Sequence, residues 1–577
     1  MLHRLLHRVI RPALALPPLH FWKAWLAATL WVGAVLNLPT WWERLHTLWW
    51  VTPGAWKLAG PLGELALTLG TTGLLLAFAH LCGRWGLRLV GVFLVMASAV
   101  AAYYMVRFKV VIGHGVLNAV FTTDHDLSAE IVDHWTALWV LCLGVLPSVW
   151  LWRHARQPGL LSGWRLPGWG RAALLVMLSS LLLLLLGQST LSQARKALRG
   201  VTGPETNLIG VAAHSYLPSN WIAGTGMVVG SRVRQARDDA RLVHPSRQHR
   251  YLPATPLDDT VVVLVIGETT RSDRLGLLGH TRDTTPHMRQ AQHLAAFAGW
   301  SCDTATKLSL ACMFVRPQGI QVGKPGQPDR ILEDNVFSVY KHLGFSIELF
   351  AMQSEAGFYT KVRPDAFKLR EVIAAQPENL DKRLDDRLLV PEVAQSLARH
   401  PAGKGPHLVV LHTKGSHAVY SQRYPSDFAR WTPECKSSGD FCRVDELLNA
   451  FDNSVLFVDQ VLHELRGTLA GRKALMVWVP DHGESIDENR HFHATPRHIA
   501  PPEQRRVPLV FWASPQWMAD AELARRYARL QAHAARAANL PPDTATYGHH
   551  NLFATLLGCI GVDSPDGGIA PELNLCH

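Results

Sequence analysis

Charge is scarce where this chain begins. Asp, Glu, Lys and Arg make up 18% of its 577 residues, against roughly 25% in an ordinary soluble domain, and residues 24–39, 65–83, 89–106, 135–152 and 172–194 contain none of them. That excludes a wholly soluble protein, because most of these runs approach the roughly 20 residues that cross a bilayer. Five spans are expected. No small-residue cleavage site follows the first run, which argues against a signal peptide; Lys23 can snorkel there, with Trp22, Trp41 and Trp42 in the interfaces. Also missing is any basic strip interleaved with aromatics. The lysines and arginines behind the net charge of +11 are dispersed, which excludes nucleic acid and leaves anionic lipid surfaces as the natural acidic partner.

Basic residues orient the spans. Arg4, Arg8, Arg11 and Lys23 precede the first run, Arg84 and Arg88 lie in the second connection, and Arg153, Arg156, Arg165 and Arg171 in the fourth; the odd connections hold Arg44, Lys57, Arg107 and Lys109. This asymmetry puts the N-terminus in the cytoplasm and, after five crossings, everything beyond about Ser192 outside. Of eight cysteines, Cys82 and Cys142 lie in spans, while Cys302, Cys312, Cys435, Cys442, Cys559 and Cys576 lie in the exported part. Six is an even number suited to an oxidising compartment.

The exported part reads as α/β. Residues 260–268 (TVVVLVIGE) form a run of β-branched residues delivering a carboxylate, Glu268, to the end of a buried strand, and residues 474–482 (ALMVWVPDH) do the same for Asp481 and His482. Residues 345–351, 407–411 and 507–512 are further short apolar runs, and 444–466 and 520–538 carry helical spacing. Between them, residues 302–312 (CDTATKLSLAC) place hydroxyls inside a cysteine-bounded loop. In an open α/β sheet ligands collect at the carboxyl ends of the strands, so Glu, Thr, Asp and His from three segments can meet around one metal. Singly, a strand-end Glu or an Asp-His pair is more often a cap or surface feature. The boundaries expected are a transmembrane part over residues 1–192, an amphipathic connector over 193–257 with Trp221 at the membrane interface, and a catalytic domain over 258–577. Before the fourth span, Asn118, Thr122 and Asp126 recur every four residues and share one helical face; a solvated polar face is the plainer reading.

In identity and order, GET at Glu268, Cys302-x-x-x-Thr306 with Cys312 following, DHGES at Asp481 and a downstream His493 resemble the membrane phosphoethanolamine transferases of Gram-negative bacteria, in the alkaline phosphatase and sulfatase superfamily. The resemblance runs from the first span to the C-terminus. It implies five transmembrane helices followed by a periplasmic α/β domain of that type, in the inner membrane. It implies zinc held by Glu268, Asp481 and His482, with Thr306 completing the site as nucleophile; spacing alone leaves Thr304 and Ser309 as alternatives. A second divalent ion such as Ca2+ is compatible with the family. His417 and His493 match positions that contact the transferred phosphate, with His412 and His491 as near neighbours. Asn118, Thr122 and Asp126 match an Asn, Thr and Glu that line the phospholipid headgroup site, the acid here being one methylene shorter. Disulfides Cys302–Cys312 and Cys435–Cys442 are implied, and Cys559 and Cys576 remain as a third pair.

The implied reaction takes phosphoethanolamine from phosphatidylethanolamine through a covalent phospho-Thr intermediate. The segments AMQSE, LHTKGSH, QRYP and SPDGGI are most similar to members acting on the Kdo sugars of lipopolysaccharide (Kdo2-lipid A); lipid A phosphate or a core heptose are the nearest alternative acceptors. A phosphatase or sulfatase is a different class. Sulfatases need a Cys or Ser in C/S-x-P-x-R, and neither Cys302 nor Ser309 has that context.

Overall fold

The computed structural model describes residues 21–52, 54–81, 84–108, 112–113, 116–117, 134–155, 169–197, 208–324, 327–436, 442–486, 491–541 and 544–577. Asn118, Thr122, Asp126 and Cys82 lie outside them. The chain divides into two compact units, one ending at Thr225 and the other running from Gly226 to His577. The division falls inside a single helix, Ser219–Asp239.

In the first unit four stretches are apolar and long enough to cross a membrane: Trp56–Leu81, Trp85–Arg107, His134–His154 and Leu174–Lys196. The first expected span does not reach that length among the described residues. Its helix, Phe21–Gly33, has 13 residues and passes through a 3-10 turn at Val35–Asn37 into Leu38–Arg44. Asn37 marks the break: its buried amide donates to Val32 O and Leu217 O and accepts from Leu217 N at 2.8 Å. Trp56–Leu81 and the helix Trp169–Ala197 meet through small residues. A Cβ at Gly70 would lie 2.4 Å from Leu184 N and one at Gly187 2.6 Å from Leu67 N, the close backbone approach that drives helix association where lipid offers no hydrophobic gain. One buried acid, Glu64, interrupts this apolar packing and is satisfied by the Arg44 guanidinium and by Tyr216 Oη at 2.6 Å. Trp221, expected at the membrane interface, donates its indole N–H to Ser98 Oγ and packs its ring on Phe93.

The second unit is built on a seven-stranded sheet: β1 Thr260–Gly267, β2 Leu294–Trp300, β3 Ser346–Ala351, β4 Ala366–Leu369, β5 His407–His412, β6 Lys473–Pro480 and β7 Arg506–Ala513, in the order β2-β7-β6-β1-β5-β3-β4. From β6 to β4 the strands are parallel, and β7 runs antiparallel to both its neighbours. β1 is buried throughout and apolar after Thr260 because both its faces are covered. Val262, Leu264 and Ile266 join a core with Phe297, Phe314 and Tyr340 on one side, while Val261, Val263 and Val265 meet Phe451, Val455 and Leu462 of the helix Val444–Thr468 on the other. Three disulfides, Cys302–Cys312, Cys435–Cys442 and Cys559–Cys576, pair the six cysteines of this unit, and Cys142 is free.

Candidate active site

Register decides what meets at the carboxyl edge. Ile266 of β1 pairs with His412 of β5 and with Val479 of β6, and Gly267 pairs with Pro480, so the next residues, Glu268 and Asp481-His482, leave neighbouring strands side by side. All three are fully buried, and their donor atoms lie within 4.8 Å of one another. The loop after β2 supplies Thr306, first residue of the helix Thr306–Cys312, whose Oγ1 lies 3.3 Å from both Glu268 Oε2 and His482 Nε2.

The surrounding bonds leave this cluster facing inward with unused electron pairs. His482 Nδ1 pairs with Gly483 O at 2.9 Å, which makes Nδ1 the protonated nitrogen and turns the lone pair of Nε2 toward Glu268 and Asp481. Asp481 Oδ1 accepts from Thr269 N and His482 N, but its buried Oδ2 accepts no hydrogen bond. Burial together with the Glu268 charge pushes the Asp481 carboxyl up to about 7. Burial also opposes the Glu268 charge, yet the imidazoles of His482, His417 and His493 hold its carboxyl well below the usual range. Two buried acids, one with an oxygen that accepts no hydrogen bond, and an imidazole nitrogen whose neighbour is the Thr306 hydroxyl form a borderline N/O donor set that fits a zinc ion with one position left for a hydroxyl.

Further contacts fix Glu268. Thr269, held at φ 55, turns its hydroxyl back onto Oε1. Gly415, at φ 49, lies so close that a Cβ would sit 2.7 Å from Glu268 O, and Ser416 N donates to that same carbonyl; the LHTKGSH loop needs glycine at this point. Asp386, accepting from Lys414 N and Gly415 N, holds the loop. From the end of β3, Gln353 Nε2 donates to Glu268 Oε2 at 2.6 Å and to Thr413 O.

The His493 ring lies 4.4 Å from that of His482, tilted to it, and 5.7 Å from that of His417, edge-on. Glu484 Oε1 meets His493 Nδ1 at 3.2 Å, and His417 Nδ1 meets Ala418 O at 2.6 Å. Burial lowers both imidazoles to about 3, so each presents a neutral Nε2. The near neighbours sit elsewhere: His412 Nδ1 meets Tyr359 Oη at 2.8 Å, and His491 belongs to the short strand His491–Phe492. Thr304 Oγ1 is spent on Thr495 O at 2.6 Å. Gln353, Thr269 and Glu484 were not anticipated from sequence. Their only local signal is adjacency to the motifs, Thr269 within GET, Glu484 within DHGES and Gln353 within AMQSE.

A parallel sheet that gathers Glu, Asp, His and a loop Thr at its carboxyl edge defines a fold of the alkaline phosphatase and sulfatase type, and the sulfatase family profile matches residues 260–562. Within that class the chain belongs to the phosphoethanolamine transferase family. The profile of phosphoethanolamine transferases EptA/EptB matches residues 71–216. The chain is 42% identical over 524 residues to Kdo(2)-lipid A phosphoethanolamine 7''-transferase of Escherichia coli K12, covering 90% of this chain and 91% of that protein. It is 27% identical over 502 residues to phosphoethanolamine transferase EptA of Salmonella typhimurium, covering 83% and 84%. Its fold is similar to that of the integral membrane lipooligosaccharide phosphoethanolamine transferase A from Neisseria meningitidis, with a TM-score of 0.78 at 22% identity over 96% of this chain and 98% of the other.

Proposed function

We propose that this protein transfers phosphoethanolamine from phosphatidylethanolamine to a Kdo sugar of lipopolysaccharide, with Thr306 as the covalent acceptor. The observation that carries this reading is the Thr306 hydroxyl at 3.3 Å from both Glu268 and His482, inside a buried donor set. Zinc held by Glu268, Asp481 and His482 would supply the positive charge that lets a threonine hydroxyl ionise near neutral pH; no residues here are assigned to a second ion. In the first displacement Thr306 Oγ bonds to phosphorus and the bond to the glycerol oxygen breaks, releasing diacylglycerol. In the second a sugar hydroxyl bonds to phosphorus, the bond to Thr306 Oγ breaks and the enzyme is restored. The imidazoles of His417 and His493 adjoin this site, each with an unprotonated Nε2 that can accept the proton of an attacking hydroxyl and, once protonated, donate to a phosphoryl oxygen or return the proton to a leaving oxygen. Asn118, Thr122 and Asp126 are proposed to line the headgroup of the donor.

The acceptor assignment rests on kinship to the Kdo-directed enzyme, which covers nine-tenths of both chains. The basic asymmetry of the connections and the three disulfides support an inner-membrane protein whose second unit is periplasmic. Mass spectrometry of lipopolysaccharide from cells with and without this protein tests the proposal. Phosphoethanolamine on a Kdo fragment only when the protein is present is the expected result; its appearance on a lipid A phosphate or a heptose instead would reassign the acceptor.

A further inference from the structure

The helix that begins at Thr306 has a second face, and it lines a cavity of about 280 Å³ within the second unit. Lys307, Leu308 and Ala311 form one wall, the end of the helix Ser219–Asp239 a second, and Gly357 and Phe358 a third. The cavity is rich in charge, so the question is which charges are already spent. Of the six acids, Asp238 is paired with Arg330, Asp239 with Lys361, Glu333 with Arg316, Asp334 with Arg363 and Asp329 with Arg497, and the sixth, Glu355, acts on Lys307. Lys307, Arg232 and Arg234 make no hydrogen bond or ion pair with any described residue. Around Lys307 the Glu355 charge attracts its ammonium and the Arg232 charge repels it. Lys307 is half-buried and Arg232 is exposed beside it, which leaves the N–H groups of both open to an anionic oxygen.

Residues 353–361 link this cavity to the reaction. Gln353, at the start of the segment, donates to Glu268, while Glu355, Gly357, Phe358 and Lys361 line the cavity. We infer that the cavity is the acceptor-side subsite, in which Lys307 and Arg232 hold an anionic oxygen group of the acceptor glycolipid, a sugar-acid carboxylate or a phosphate, next to the residue that carries the transferred group. This rests on the proposed transfer to a lipopolysaccharide sugar.

The test uses the full-length protein in detergent, with fluorescent phosphatidylethanolamine as donor and Kdo2-lipid A as acceptor. Without acceptor, release of diacylglycerol and the mass of the protein adduct report the donor half-reaction, and Lys307→Ala and Arg232→Ala leave both within about twofold of the parent. With acceptor, Lys307→Ala raises the acceptor KM by about tenfold or more, the scale of one lost charge-assisted hydrogen bond, with kcat nearly unchanged, and Lys307→Arg restores most of the loss. Repeating the measurement with dephosphorylated Kdo2-lipid A identifies the anion: a shift that persists belongs to the sugar carboxylates, one that disappears to the phosphates. An unchanged acceptor KM overturns the inference, and so does a donor half-reaction that falls in parallel, which would assign the cations to the donor phosphodiester. Direct binding of Kdo2-lipid A separates this idea from the proposed reaction. Binding that Lys307→Ala weakens, without transfer by the parent protein, would keep the subsite and discard the reaction; no binding by the parent would discard both.

Discussion

Thr304 and Thr306 carry the same hydroxyl two residues apart, and their surroundings divide the work. Thr304 is buried and bonded to Thr495 O at 2.6 Å, whereas Thr306 Oγ1 faces Glu268 and His482. Thr306→Ala should abolish transfer while zinc content stays near that of the parent, because Glu268, Asp481 and His482 remain; Thr306→Ser should retain part of the activity, having the oxygen but not the methyl group that restricts its rotamer. Thr304→Ala should cost about 1 kcal/mol of stability for one buried bond and leave transfer within a few-fold. Labelled phosphatidylethanolamine and intact-protein mass read both, and an adduct mapping to Thr304 or Ser309 would reassign the nucleophile. Gln353 makes a different prediction. Its amide orients Glu268 without being a ligand, so Gln353→Leu should weaken zinc binding by roughly 10- to 100-fold, measured by competition with a chelating dye while the fold is followed by circular dichroism. Sequence singled out Glu268, Asp481 and His482 because each ends a buried strand. It could not single out Gln353, since the contact depends on β3 and β1 flanking β5, which no local pattern encodes.

At the scale of elements, legibility followed burial. β1, β3, β5, β6 and β7 read as strands because they lie inside the sheet with apolar residues on both faces. β2 and β4 escaped notice because they are its edges: β2 is LAAFAGW, small residues with only part of the pattern buried, and β4 is four residues long with Phe367 61% exposed. Runs without charge matched four helices long and apolar enough to cross a membrane, but not the first expected span, where hydropathy could not foresee Asn37, whose amide bonds backbone groups just past a 13-residue helix. The element whose loss should matter most is the helix Thr306–Cys312, tied at its far end to Cys302. Closing so short a loop restricts the unfolded chain by about 3 kcal/mol in the chain-entropy account, and it limits the conformations open to Thr306 before any substrate arrives. Cys302→Ser with Cys312→Ser should therefore lower the Tm of the detergent-solubilised protein and slow the donor half-reaction more than it weakens zinc binding. Equal loss of zinc and rate would mean that the bond supports the metal site instead.

The second unit as a whole carries imidazoles that it can bury only when they are neutral. His549 accepts from Cys302 N at Nδ1 and donates from Nε2 to Pro480 O; His407 is bonded at both nitrogens to Ser346 and Ser396; His412 meets Tyr359 Oη. Burial lowers His407 and His412 to about 4 and His549 to about 3. Two buried carboxyls pull the other way: burial raises Asp386 and Asp459 to about 6. Below the unfolded histidine value of about 6.5 the unfolded chain takes up protons on the three imidazoles that the folded one refuses, so stability is lost as pH falls. Below about 6 the folded chain binds protons on the two carboxyls that the unfolded one releases until about 4, which returns stability. Among these five groups the three imidazoles outnumber the two carboxyls, so their net effect is a loss of stability as the pH falls from about 6 to 4. The Tm of the full-length protein should fall on acidification from pH 7 to 5, both metal-loaded and after chelation, because none of these five groups belongs to the donor set of Glu268, Asp481 and His482. His407→Asn should lower Tm at pH 7, where its two bonds are lost, yet flatten the dependence, since one of the three refused protons is gone. A Tm that holds or rises on acidification, or a slope that vanishes once the metal is removed, would place the pH sensitivity in the metal site and not in the buried histidines.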